Sequence, residues 1–151
     1  MPLLQDHSET LIHVFFCEHA LPTSCRHQAL KTLCDRLIEI GTPEPLVSAI
    51  SHGITTWSQS AENNPATKFV APTAQSVRPS DIHITHAYAE QSRDIGWDQL
   101  LRGRISTKWA SAYRCLKGGN RRMDIDTAGW GKHMILALWT YSTLLWHYRN
   151  E

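Results

Sequence analysis

The sequence lacks the patterns typical of membrane proteins, β-sheet proteins and familiar enzymes. Its longest uninterrupted apolar run is far shorter than the ~20 residues that a membrane-spanning helix requires. No segment alternates apolar and polar residues as a strand does. It has no nucleophile–base pair, no suitably spaced pair of acids and no cofactor loop, because Gly118-Gly119 lacks the G-x-x-x-x-G-K-[ST] spacing. The sequence therefore predicts no catalytic residue, no cofactor and no enzymatic activity.

The sequence also has few of the features typical of secreted proteins. The chain has four cysteines, and Cys25 and Cys34 fall on a predicted helix, where they look like buried thiols. The first residues carry no basic region and no long apolar segment, so we expect no secretory signal. A reduced, intracellular protein, cytoplasmic or nuclear, is the expectation.

One pair of residues has metal-ligand chemistry. His13 and Cys17 are four apart, so on a helix they share a face and could supply two of the four ligands of a zinc site. No earlier cysteine provides the C-x-x-C half of such a site. The alternative is a short helix that packs Leu11, Val14 and Phe15 into the core, and we predict that folding requires no zinc.

The apolar residues that are present recur at helical spacing throughout. With 151 residues, of which 42% are hydrophobic and 19% charged, the chain has the size and composition of one globular domain. The predicted fold is all-α, an irregular bundle of five to seven helices, with a flexible Pro/Ser/Asn-rich loop at about 59–80. The predicted helices span 25–40, 43–59, 84–95, 97–101, 107–116 and 127–149.

Local signals fix several helix ends. Gly41 is a natural stop for the first of these helices, and Thr42-Pro43 supplies an N-cap and a first-turn proline for the next, so the two should form an antiparallel hairpin. The last helix is apolar on more than half its circumference, which predicts a central position. Trp139 and Trp146, seven residues apart on one face, are expected to be largely buried.

Positive charge is concentrated late in the chain. Residues 1–89 hold five Lys/Arg against eight Asp/Glu, whereas residues 90–151 hold ten against six. Trp109 and Tyr113 interleave with a basic segment, as in surfaces that pair phosphate contacts with base stacking. Lys108 and Arg114, six apart, do not share one helix face, and a solvated helix surface is the alternative. The candidate nucleic-acid-binding residues are Arg102, Arg104, Lys108, Arg114, Lys117, Arg121 and Arg122.

A set of short motifs carries a family resemblance. Glu9-Thr10-x-x-His13-x-x-x-Cys17 is followed by a Thr42-Pro43 helix that ends near Trp57, then by a run through Gln91, Ile95-Gly96-Trp97, Gly103, Ser106 and Trp109, and by a terminal Leu138-Trp139 with Trp146 and Arg149-Asn150. This order resembles uncharacterised proteins of microbial eukaryotes that occur alone or downstream of reverse transcriptases in non-LTR-type retroelements. In that family the first motif ends a zinc knuckle that opens with C-x-x-C, a half that this sequence lacks.

The resemblance implies a helical accessory domain of a mobile element, partnered by RNA, DNA or a reverse transcriptase, with no catalytic residue. The first hypothesis is therefore a non-enzymatic, retroelement-derived domain that associates with nucleic acid. The alternative is a protein–protein interaction module or an orphan structural domain with no nucleic-acid role. The last helix favours this alternative, because it carries more large apolar residues than a small bundle covers and because Trp and Tyr are frequent interface anchors.

Overall fold

The computed structural model describes residues 23–63, 81–118 and 124–150, and these ranges contain helices and no strand. The prediction of an all-α fold with a long last helix is confirmed. Within the described ranges no helix combines the length and apolar character needed to cross a membrane. The elements are α1 (Thr23–Glu39), α2 (Glu44–Asn63), α3 (Asp81–Glu90), a π-helical segment (Gln91–Ile95), α4 (Trp97–Leu101), α5 (Thr107–Gly118) and α6 (Thr127–Asn150).

The connection from α1 to α2 reverses the chain at Gly41. Its φ of 79° lies in the left-handed region, and its N–H donates to the Ile38 carbonyl over 2.8 Å. This satisfies a terminal carbonyl of α1, as the glycine signal predicted. The Thr42 hydroxyl, predicted to cap α2, accepts instead from the Trp130 indole N–H at 3.0 Å. It thereby ties the turn to α6.

The second and third predicted helices have different bounds in the structure. Helix α2 ends at Asn63 rather than near 59, so the first residues of the loop predicted at 59–80 are helical, and residues 64–80 lie outside the described residues. The predicted helix at 84–95 begins at Asp81 and turns from α into π geometry at Gln91. In a π-helix each backbone N–H bonds to the carbonyl five residues earlier instead of four. Composition and apolar spacing do not reveal this change, so the π-helical segment was not predicted.

Gly53 is the contact point between α2 and α4. A Cβ at position 53 would lie 2.0 Å from the ring carbons of Trp97, well inside van der Waals contact. The sequence marks this glycine only as a weak point in a helix. In the fold, the missing side chain lets Trp97 lie directly on the α2 backbone, and Trp97 is 5% exposed there.

Gln91 organises the segment between α3 and α5. Its side chain is fully buried, and its Oε1 accepts from the Ser106 backbone N–H at 3.0 Å and from the Trp109 indole at 3.3 Å. Its Nε2 donates to the carbonyls of Gly96 and Arg104. The run of glycine, serine and tryptophan that follows Gln91 is thus assembled around one amide, and these residues have a structural role.

Among the described helices, α1, α4 and α5 pack against one side of α6, and the other side, which we call its open side, carries exposed side chains. Its inward side is buried and consists of Trp130, Met134, Ala137, Leu138, Tyr141 and Leu145. Trp139 and Trp146 are on the open side, 51% and 44% exposed, so the prediction that they are buried is wrong. Both sides of α6 are apolar at helical spacing, and only the packing of the other helices decides which is covered.

Candidate interaction surface

The basic segment predicted from the sequence is exposed but is not one stripe. Arg102, Arg104, Lys108, Arg114 and Lys117 all reach solvent, and Arg121 and Arg122 lie outside the described residues. Three of the cations meet different parts of the fold. Lys108 approaches Glu90 of α3, with 3.2 Å between Nζ and Oε1. Arg114 donates to Thr127 at the start of α6 over 3.4 Å, and Lys117 adjoins the turn at Gly41.

Lys108 belongs to a polar cluster at the junction of α3 and α5. The Ser106 hydroxyl donates to the Glu90 carboxylate and accepts from the Lys108 backbone N–H at 3.1 Å. The second contact is the N-cap that the sequence predicted for α5. The hydrogen bonds from Ser106 and Lys108 hold the pKa of Glu90 below its usual value. The cluster joins two helices, and its serine is buried rather than available to a ligand.

The aromatic residues interleaved with the basic segment belong to the core. Trp109 is fully buried, with its indole N–H on Gln91. Tyr113 is 9% exposed and stacks on Trp130, with 4.4 Å between ring centroids and an interplanar angle of 8°. Neither ring faces solvent, so neither is placed to stack a nucleic-acid base.

The predicted metal candidates, His13 and Cys17, lie outside the described residues. Among the residues that are described, no group of three or more His, Cys, Asp or Glu side chains is positioned to hold a metal ion. Cys25, Cys34 and Cys115 are free and half-buried, less enclosed than the buried thiols predicted for the first two. Burial raises the pKa of the Cys34 thiol, which disfavours the reactive thiolate.

The open side of α6 presents a continuous exposed stripe, which we call the α6 face. Its members are Lys132, Leu136, Trp139, Thr143, Trp146 and Asn150, and all are exposed. Their spacings alternate between four and three residues, which keeps them on one side of a helix. At about 1.5 Å per residue, the stripe is roughly 27 Å long. It contains three of the large exposed hydrophobic side chains of the described residues, those of Leu136, Trp139 and Trp146.

A groove runs along the first half of the α6 face. It has a volume of about 560 Å³ and is lined mainly by apolar side chains of α6 and of the segment from Ile105 to Ala110. Leu136 and Trp139 are among the α6 residues that line it. The edge of the Trp139 ring lies close to Gly103, since a Cβ at position 103 would lie 3.5 Å from Trp139 Nε1. One edge of this ring is therefore supported by protein while half of its surface stays exposed.

The charged residues of α6 itself have one sign. Helix α6 contains no aspartate or glutamate, whereas Lys132 and Arg149 are both on it. The Arg149 guanidinium carbon lies 5.9 Å from the centroid of the Trp146 ring, within the range of a cation–π contact. Lys132 thus lies at one end of the α6 face, and Arg149 lies beside Trp146 near the other end.

No protein-family model matches the chain, and no curated protein or solved structure is significantly similar to it. The chemistry of the surface must therefore be inferred from its own residues. Neither the groove nor the exposure of Leu136 was predicted from the sequence. The three- and four-residue spacing from Lys132 to Asn150 could have indicated this stripe. That spacing identifies an exposed surface only when it is known which side of α6 packs against the other helices.

Proposed function

We propose that this chain is a non-enzymatic interaction domain that binds an acidic, amphipathic helix of another protein on the α6 face. The observation that supports this most strongly is Trp139, a tryptophan that is half exposed at the wall of an apolar groove. A contiguous exposed apolar patch is typical of a binding surface, and tryptophan is the residue most enriched among interface hot spots.

The charge of α6 selects the kind of partner. A helix that lies along the α6 face with apolar residues at three- and four-residue spacing would meet Leu136, Trp139 and Trp146. Its flanks would then lie near Lys132 and Arg149, which favour glutamate or aspartate and disfavour lysine or arginine. The proposed partner is therefore a helix that is apolar on one side and acidic on its flanks.

The direct test is a fluorescence anisotropy titration with two labelled peptides. One is an amphipathic helix with leucine on one side and glutamate on the flanks, and the other has lysine in place of glutamate. We expect the acidic peptide to bind and the basic peptide to bind more weakly. Trp139→Ala should weaken the acidic peptide about tenfold or more, because the substitution removes the anchor.

Ile38→Ala is the matched control. Ile38 is 52% exposed on α1, so this change also removes an exposed apolar side chain, but away from the α6 face. Binding should be unchanged in this variant. Equal binding of both peptides, or equal losses in the Trp139 and Ile38 variants, would contradict the proposal.

Nucleic-acid association is a second candidate, supported by the exposed cations of residues 102–117 and by the resemblance to retroelement-associated proteins. Because Trp109 and Tyr113 are buried, this binding would rest on phosphate contacts alone and would weaken steeply with salt. A gel shift with single- and double-stranded RNA at low salt tests it, and absence of a shift there would eliminate it. The same resemblance makes the reverse transcriptase of such an element a protein partner to try on the α6 face.

A further inference from the structure

Two of the basic side chains predicted from the sequence have no partner among the described residues. Arg102 and Arg104 are both exposed, and neither guanidinium makes a hydrogen bond or an ion pair with another residue that the structure describes. The acid nearest to them in the sequence, Asp98, accepts instead from the side chain of Gln99 at 2.8 Å. Both guanidinium groups are therefore available to a ligand.

The turn that carries the two arginines lies against α6. Gly103 separates them, and a Cβ at position 103 would lie 3.3 Å from Ile135 Cγ2 and 3.5 Å from Trp139 Nε1. Neighbouring Cα atoms are about 3.8 Å apart, so both arginines begin beside the exposed tryptophan ring. Ile105, two residues after Gly103, lines the apolar groove. The two cations therefore lie at the Trp139 end of this groove.

A third cation lines the same groove about two helical turns away. Lys132 is exposed and makes no ion pair with a described residue. Asp126, the acid nearest to it in the sequence, accepts from the Gly129 backbone N–H at 2.7 Å and so caps the start of α6. Lys132 precedes Trp139 by seven residues, which is about 10 Å along the axis and about 20° around the helix. The groove thus has positive charge at two places along its length.

We infer that Arg102 and Arg104 at one place and Lys132 at the other bind two acidic residues of the partner helix that are seven positions apart. This inference rests on the proposed function, in which the partner helix lies along α6. Such a helix rises about 1.5 Å per residue, so acids that meet cations about 10 Å apart are about seven residues apart. Seven residues also return to the same side of a helix. Both carboxylates can then face the groove, with the apolar side chains between them on Leu136 and Trp139.

The lining between the cations favours carboxylates of a helix over phosphates of a nucleic acid. An arginine fork binds either anion with two parallel hydrogen bonds. A nucleic-acid strand, however, carries a charge on every nucleotide and would place phosphates over the apolar part of the groove. A helix with two separated acids leaves that part to apolar side chains.

The spacing is tested with two labelled peptides in a fluorescence anisotropy titration. Both are amphipathic helices of the same composition, with leucine on one side and two glutamates. In the first the glutamates are seven residues apart, and in the second they are five apart, which separates them by about 140° around the helix. We expect the first peptide to bind about five- to tenfold more tightly, because only its two carboxylates reach both groups of cations at once. Equal affinities would overturn the inferred spacing.

Charge exchange tests which cations are involved. Arg102→Glu and Arg104→Glu, made together, should weaken binding of the first peptide about tenfold, since they replace attraction by repulsion. Lysine in place of one of the two peptide glutamates should restore binding to this variant, and lysine in place of the other should restore binding to Lys132→Glu. Arg36→Glu reverses an exposed charge on α1 and is the matched control for each single reversal. It should leave affinity nearly unchanged, and all variants should keep the thermal midpoint of the unaltered chain.

The outcomes separate this inference from the proposed function. If the reversals at 102, 104 and 132 cost no more than Arg36→Glu, or if no exchanged peptide restores binding, the inference fails. The proposed function then stands as long as Trp139→Ala still weakens the acidic peptide. No binding of either peptide to the unaltered chain would overturn both. Single-stranded RNA that loses affinity in the double arginine variant, while the peptide binds that variant unchanged, would assign the two arginines to nucleic acid instead.

Discussion

Trp109 and Trp139 show how differently this fold treats the same residue. Trp109 is fully buried, and its indole N–H has a partner in Gln91 at 3.3 Å. Trp139 is 51% exposed beside an apolar groove. Trp130 and Trp146 repeat the contrast on a single helix, since Trp130 is 4% exposed and donates to Thr42 whereas Trp146 is 44% exposed.

The contrast separates the tryptophans that stabilise the fold from those on the proposed binding surface. A buried tryptophan needs a polar partner for its N–H, so Trp109 and Trp130 each require a particular side chain elsewhere in the sequence. Trp139 and Trp146 contribute area on an outer surface, where an indole N–H can bond to water. Substitutions on the two sides should therefore affect different measurements.

The largest difference is expected between Trp109→Ala and Trp139→Ala. Removing a tryptophan from a packed site leaves a cavity, so the first should lower the free energy of unfolding by about 3–5 kcal/mol. The second removes a half-exposed ring and should cost about 1 kcal/mol or less. Urea denaturation of both variants measures this, and equal losses would break the distinction.

Gln91→Met tests the polar partner of the buried ring. The new side chain has similar length, but it leaves the Ser106 N–H and the Trp109 indole without their acceptor inside the protein. Each such orphaned group costs roughly 1–3 kcal/mol, so we expect a loss of at least about 2 kcal/mol. Gln28→Met, at an exposed position of α1, should change stability by less than about 0.5 kcal/mol. Similar stability losses in the two glutamine variants would show that the hydrogen bonds of Gln91 do not stabilise the fold.

Alanine substitution at two helical glycines should change stability in opposite directions. Gly53→Ala places a methyl group 2.0 Å from the Trp97 ring and should destabilise by about 1–3 kcal/mol through overpacking. Gly131→Ala, on α6 where nothing lies within 4 Å of the new Cβ, should stabilise by up to about 1 kcal/mol. Thermal unfolding of the two variants gives both signs in one experiment. Stabilisation by Gly53→Ala would contradict the close packing of Trp97.

The smallest effect concerns pH. The lowered pKa of Glu90 means that its bonds to Ser106 and Lys108 stabilise the fold above the ordinary glutamate pKa. This contribution is lost as the pH falls through the lowered folded value. In Glu90→Gln the acid limb of the stability–pH curve should be shallower than in the unaltered chain, measured by urea midpoints. A steeper limb would show that the carboxylate is not stabilised in the folded state.

The sequence predicted the helices well because their signals are local. Gly41 ended α1, Ser106 capped α5, and the apolar spacing of α6 predicted a long final helix. The identity of the buried side of α6 is not local information. Trp130 lies on one side and Trp139 and Trp146 on the other, and the positions of α1, α4 and α5 decide which side is covered.

The candidate surface was harder to predict than the fold for the same reason. Counting cations from Arg102 to Lys117 suggested a basic surface, but Lys108, Arg114 and Lys117 adjoin different elements once the chain folds. The role of Gln91 was also hidden, because its four bonds reach residues that are brought together only by the π-helical segment and the turn at Gly103.

The most direct test of the account is one titration that observes both kinds of tryptophan together. The indole N–H spectrum of the full chain is recorded as the acidic amphipathic peptide is added. We predict that the Trp139 and Trp146 signals shift in a saturable way, whereas those of Trp109 and Trp130 stay in place. Stationary Trp139 and Trp146 signals at saturating peptide, or equal shifts of all four, would contradict the assignment of the α6 face as the binding surface.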